Sequence, residues 1–209
     1  YGILTAQLLL TAVVATPFVT NESMRAFVRT HGLPLVILVS VLNIVFLFAL
    51  TCPCGCEKNM RTFPLNYLLL GGFTVTEGVL VGVCCTQYTV TSVLFAVVAT
   101  AALVGGLSLY AVFTKTDFTG CGPYLFAACL VLLIFGLFTA FLPFPFAHKI
   151  YCCLGILLFS FFLIFDTQLI MGKGEYSLSI DDYVFAALQL YIDIIQLFLY
   201  ILQLFGDRD

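Results

Sequence analysis

Seven runs of apolar residues, each long enough to cross a bilayer, dominate this chain of 209 residues. A spanning helix needs about 20 such residues. The runs lie at about 2–20, 33–51, 65–86, 90–113, 123–142, 150–171 and 182–205, with ends good to about two to four residues. Hydrophobic residues make up 62% of the chain and charged residues 9%, against about 45–50% and about 25% in an ordinary soluble domain. The 8 Lys+Arg and 11 Asp+Glu are too few to cover a soluble fold. The fold class is therefore an all-α integral membrane protein, a seven-helix bundle read as a single transmembrane domain over residues 1–209, with the lipid bilayer as its first partner. A cytosolic enzyme and a disordered linker are excluded. A net charge of −3 offers no basic footprint for nucleic acid.

The runs are continuous rather than alternating, which excludes a β-barrel. Polar or Pro/Gly-containing breaks separate them: NESMRAFVRTHG, CPCGCEKNMRTFP, TQYTVT, TKTDFTGCG, PFPFAHK and GKGEYSLSID. The third break carries no charge, yet one helix running through it would be far too long. The first run is too long for the apolar core of a signal peptide and has no Ala-x-Ala-like exit. The chain opens at Tyr1, already inside a helix, so a native tail is expected ahead of it. Charge does not orient the bundle. Lys58, Arg61, Lys115 and Lys173 fall on one side, and Arg25, Arg29, Lys149 and Arg208 on the other. The sequon Asn21-Glu22-Ser23 matters only if the first loop is luminal.

Ionisable residues inside a membrane cost about 2.5–3.5 kcal/mol each even on the mild insertion scale, and so point to function. Glu77, Asp166 and Asp193 are three such residues. The plain alternative for any one of them is a protonated carboxyl bonded to a neighbouring helix. The seventh run adds a pattern. Asp182, Gln189, Gln196 and Gln203 recur every seven residues, with Ala186, Asp193 and Tyr200 between them. That three-four spacing puts them on one helix face. A polar stripe on such a helix faces the bundle interior, as a hydrogen-bonded seam or as a water-accessible path; the number of side-chain donors and acceptors favours the path.

Asp166 lies near the end of the sixth run, and Asp193 lies deeper in the seventh, which returns from the same loop. Antiparallel neighbours bring the two to similar depth. If they meet, both cannot ionise in low dielectric, and they share a proton and titrate as a pair. Such a pair can sense pH and can bind a hard cation such as calcium. Glu77 precedes Gly78-Val79-Leu80-Val81-Gly82, a spacing that lets helix backbones approach closely. Asn43, in the second run, reads as a packing hydrogen bond.

Several runs carry a family resemblance. Phe165-Asp166-Thr167-Gln168-Leu169, Ser177-Leu178-Ser179, Tyr183-Val184-Phe185-Ala186-Ala187-Leu188 and Leu190-Tyr191-Ile192-Asp193-Ile194-Ile195 resemble the signature of the transmembrane Bax-inhibitor-motif family. The spacing of the two aspartates is similar to its Lifeguard branch, as are Arg61-Thr62-Phe63-Pro64-Leu65-Asn66-Tyr67 and Phe73-Thr74-Val75-Thr76-Glu77-Gly78. The likeness runs from Tyr1-Gly2-Ile3-Leu4 to Leu204-Phe205-Gly206. It implies a seven-helix fold with the last helix central, a pH-sensitive calcium leak across an intracellular membrane, and suppression of cell death. It implies endoplasmic reticulum or Golgi, with plasma or vacuolar membrane as alternatives, and apoptosis-regulating membrane proteins as partners. Asp166 and Asp193 match the family's pH-sensing pair, and Arg61 matches a basic residue that latches onto it. Gln189 stands where the branch carries Asn and keeps the amide. Calcium is the permeant ion, and no cofactor is expected.

Two rival functions bear on the aspartates. An intramembrane aspartyl protease needs a G-x-G-D run at the second aspartate and a Pro-Ala-Leu run beyond it; here the residues are Leu190-Tyr191-Ile192-Asp193, and Pro-Ala-Leu is absent. No catalytic residue is expected. A non-conducting scaffold for death-regulating partners remains the second reading. Of the nine cysteines, Cys52, Cys54 and Cys56 share a membrane side with Cys121, which suits zinc less well than lipidation or free thiols. Cys84, Cys85, Cys152 and Cys153 fall near the opposite side, where a disulfide can form if that side is luminal. His31 and His148 are expected in loops.

Overall fold

The computed structural model describes residues 1–51, 63–141, 145–172, 174–176 and 182–208. Its helices are α1 (Gly2–Thr20), α2 (Glu22–Thr51), α3 (Leu65–Cys85), α4 (Val90–Phe113), α5 (Gly122–Phe141), α6 (Pro145–Met171) and α7 (Tyr183–Phe205), with a 3-10 turn at Thr119–Cys121 before α5. Seven helical segments are long and apolar enough to cross a membrane. The last is the most buried, with 56% of its spanning window inside the protein against 11% for that of α2.

Two boundaries differ from the sequence reading. Helix α2 starts at Glu22, about three turns ahead of its apolar run. The stretch expected as a loop is helical because it has a capped start: the Asn21 side chain accepts the Ser23 N–H at 2.9 Å, and Glu22 sits at the positive end of the helix. Helix α6 likewise starts at Pro145, where proline's missing N–H costs no hydrogen bond. Both histidines are therefore helical. His31 is exposed and stacks on Phe27 at 5.1 Å. His148 is half-buried, with Nε2 3.7 Å from the Cys152 sulfur.

The helices form two compact units. The first holds α1, α2, α3, the first turn of α4, α7 through Tyr191, and the C-terminal Asp207 and Arg208. Small residues on α3 let its neighbours come close. Gly78 faces Thr11 and Val14 of α1, and Gly82 faces the Phe18 ring, so the expected close-approach motif packs α3 on α1. Past α3, the Thr89 N–H donates to the Asp207 carbonyl at 3.1 Å. The Asp207 N–H donates to Ser92 Oγ at 3.0 Å, and the Arg208 guanidinium lies over the Tyr88 ring at 5.9 Å.

The second unit holds the rest of α4, the 3-10 turn, α5, α6, and α7 from Ile192 to Gly206. Its core joins Leu125 and Leu132 of α5, Cys152 and Leu158 of α6, and Tyr200 of α7. Tyr200 lies on Gly155 and bonds the Tyr151 hydroxyl at 3.0 Å. Gly172 ends α6 with φ 62°, the left-handed cap that glycine adopts without strain.

Candidate functional site

The carboxyl pair lies in the second unit. Asp166 on α6 and Asp193 on α7 are 3% and 4% exposed. Their side chains hydrogen-bond to one another. A bond between two carboxyls needs a proton on one of them, because two carboxylates have no donor to offer. The spare oxygen, Asp193 Oδ2, is buried and has no hydrogen-bond partner among the described residues. The sequence brings the pair together because α6 and α7 run antiparallel. The contact between Tyr151 and Tyr200, on the far sides of the two aspartates, fixes that direction.

Glu77 belongs to the first unit and to a different network. It is half-buried on α3, and its Oε2 accepts the Asn43 amide at 3.0 Å. The same amide donates to Thr76 Oγ1 at 3.1 Å. The packing bond expected of Asn43 is thus a bond to Glu77. Nearby on α3, Thr74 accepts the Gln7 amide at 3.2 Å, and Thr11 bonds the Tyr191 hydroxyl at 2.7 Å. Gln7 Oε1 is buried with no partner among the described residues. Gln7, Thr11 and Tyr191 escaped the sequence reading, since scattered polar residues in apolar helices form no pattern until the helices are placed.

Along the stripe, Asp193 and Tyr200 are buried, while Asp182, Ala186, Gln189, Gln196 and Gln203 are half-buried. Gln196 and Gln203 make no hydrogen bond among the described residues. Arg61, the expected latch, lies outside the described residues, as do Lys58, Cys52, Cys54 and Cys56. Cys84, Cys85, Cys152 and Cys153 are free thiols, so the disulfide entertained for them does not form. Among the described residues no group of three or more His, Cys, Asp or Glu side chains is arranged to hold a metal; the aspartate pair offers two carboxyls.

Outside the spans, Asp117 accepts bonds from the Thr119 hydroxyl at 2.7 Å, the Thr119 N–H at 2.8 Å and the Glu175 N–H at 3.0 Å. These donors, the Thr119 hydroxyl first, hold its carboxyl below the ordinary aspartate value.

Seven spanning helices define a multi-pass membrane protein, and its second unit holds a buried pair of carboxyls. Residues 1–209 match the family model described as "Inhibitor of apoptosis-promoting Bax1", and the chain belongs to that Bax-inhibitor family. It is 35% identical to Protein lifeguard 3 of Homo sapiens, across 100% of this chain and 67% of that protein. It is 38% identical to Protein lifeguard 4 of Mus musculus, across 97% of this chain and 81% of that protein. The resemblance read from the aspartate runs is thereby established at the level of the family.

Proposed function

We propose that this chain is a pH-sensitive, calcium-permeable leak in an intracellular membrane, endoplasmic reticulum or Golgi, and that it acts against cell death. The observation that supports the reading is the contact of the Asp166 and Asp193 carboxyls, both buried in the spanning region. Each deprotonation there adds a negative charge that attracts calcium. Two adjacent carboxylates also repel, which drives α6 and α7 apart. Protonation removes both effects, so permeation follows the pair's ionisation. The half-buried amides of Gln196 and Gln203 extend the path along α7, and Asp182 stands at its mouth. Arg61 is the latch of this scheme, and Glu77, in the first unit, is a further carboxyl assigned to it. The family's description and the name lifeguard borne by its relatives support the role in cell death.

Calcium flux from purified protein in liposomes, measured against pH, tests the mechanism. Asn at either aspartate keeps shape and most hydrogen bonding while removing the titration. Asp166→Asn and Asp193→Asn each flatten the flux-versus-pH curve, and the double variant does no more than either alone, because partners in one proton equilibrium do not add. Normal curves in the single variants, or effects that add, overturn the shared-proton mechanism. No flux from the wild-type protein at any pH overturns the leak and leaves the non-conducting scaffold.

A further inference from the structure

Two residues past Asp166, α6 carries a second buried polar side chain that is not part of the carboxyl pair. Gln168 is 3% exposed, and both ends of its amide are used. Its Oε1 accepts the Phe118 N–H at 2.8 Å. Its Nε2 donates to the Thr116 carbonyl at 2.9 Å and toward the Ala111 carbonyl at 3.5 Å. Ala111 is in the last turn of α4, where carbonyls have no partner within their own helix. One side chain thus closes the end of α4 and the start of the connection after it.

Asp117 extends this clasp to the segment that follows α6. It lies between Thr116 and Phe118, both bound by Gln168, and its carboxylate accepts N–H groups from Thr119 on its own loop and Glu175 on the other. The fit is tight at Gly174. A Cβ there would sit on the Thr119 hydroxyl and 2.5 Å from Asp117 Oδ1. Two residues of helix turn the chain through about 200°, so Gln168 and Asp166 point to nearly opposite faces of one stiff turn. One face is bonded to the clasp and the other to Asp193 on α7.

We propose that Gln168 and Asp117 are positioning residues: they clamp the Asp166 turn of α6 to the α4–α5 connection and so set how closely Asp166 meets Asp193. This rests on reading the aspartate pair as the proton-sensitive element. The titratable group facing Asp166 from α7 is Asp193. Among the described residues, the charged ones nearest Asp117 on its own loop and on the loop bonded to it are Lys115 and Glu175, both exposed. The bonds that hold Asp117 ionised also keep the clasp closed at neutral and mildly acid pH. Loosening the clasp lets the carboxyls separate, which weakens their mutual repulsion and moves their titration toward more acid pH.

The test uses the full chain in liposomes with two readouts. The first is the infrared band of a protonated carboxyl, assigned to the pair by its loss in Asp166→Asn and followed against pH. The second is calcium flux against pH. Gln168→Leu and Asp117→Asn keep the band but move its midpoint to more acid pH by about 0.5 unit or more, a change in proton affinity of about threefold. The flux curve moves the same way. A merely structural role would lower the unfolding temperature and leave the midpoint in place, so an unmoved midpoint in folded protein overturns the proposal. If Gln168→Leu does not fold, Asp117→Asn, at an exposed position, gives the same two outcomes. A band that shifts in protein without flux sinks the leak and sustains the clamp. The absence of any titrating band in the wild-type protein overturns both.

Discussion

Asp117 and Asp166 are both aspartates on the second unit, and their surroundings differ. Asp117 is exposed and accepts three hydrogen bonds that favour its charged form, so its carboxyl stays ionised to lower pH than a free aspartate. The stabilisation it brings is fully present above the unfolded value of about 3.9 and is lost as pH falls through the lower folded value. Amide exchange at Thr119 and Glu175, corrected for its intrinsic pH dependence, is expected to stay protected through mildly acid pH and to lose protection only in stronger acid. Loss of protection already near neutral pH would show that the carboxylate does not hold the loops. Asp166 is buried and faces another carboxyl. It stood out in the sequence, because a carboxyl inside an apolar run demands an explanation. The role of Gln168 was not. Its partners are backbone groups fifty or more positions away, and backbone groups leave no trace in a residue pattern.

At the scale of elements, hydropathy locates lipid rather than helix. All seven spans were legible for that reason, and the polar first part of α2, from Glu22, was not. The close-approach glycines were legible as a spacing, but the sequence could not say which helix they admit. The structure puts α1 there, with a Cβ at Gly82 falling 2.7 Å from the Phe18 ring. Gly82→Ala therefore forces α1 and α3 apart and is expected to cost about 1–3 kcal/mol, the usual range for overpacking. A smaller side chain at the point of collision relieves it, so Phe18→Leu in the Gly82→Ala background recovers part of the loss. Denaturant titration in detergent micelles checks both. A Gly82→Ala protein as stable as the wild type would mean that Phe18 has room to turn aside. The disulfide entertained for Cys84, Cys85, Cys152 and Cys153 shows the reverse limit: all four are free thiols, and a shared membrane side read from sequence is a statement of depth alone.

Over the whole molecule, seven helices long and apolar enough to span lead us to expect the two ends of the chain described here on opposite sides of the membrane. Tags at each end, tested for protease access in sealed vesicles, are expected to be cut from opposite faces; two tags cut from one face would make one of the seven helices re-entrant. The last of those helices belongs partly to one compact unit and partly to the other. Its Tyr191 bonds Thr11, its Asp193 bonds Asp166, and its Tyr200 bonds Tyr151. Those three partners are on helices made earlier in synthesis, since α7 comes last in chain order. Until it leaves the ribosome, Thr11, Tyr151 and Asp166 wait in the hydrocarbon without the bonds that α7 brings them, a situation that lipid cannot relieve. The six-helix nascent chain is therefore a natural client for chaperones that shield polar groups within the bilayer. A premature stop ahead of Tyr183 would leave the cell with that same unfinished surface, and its membrane quality-control machinery with a substrate to remove.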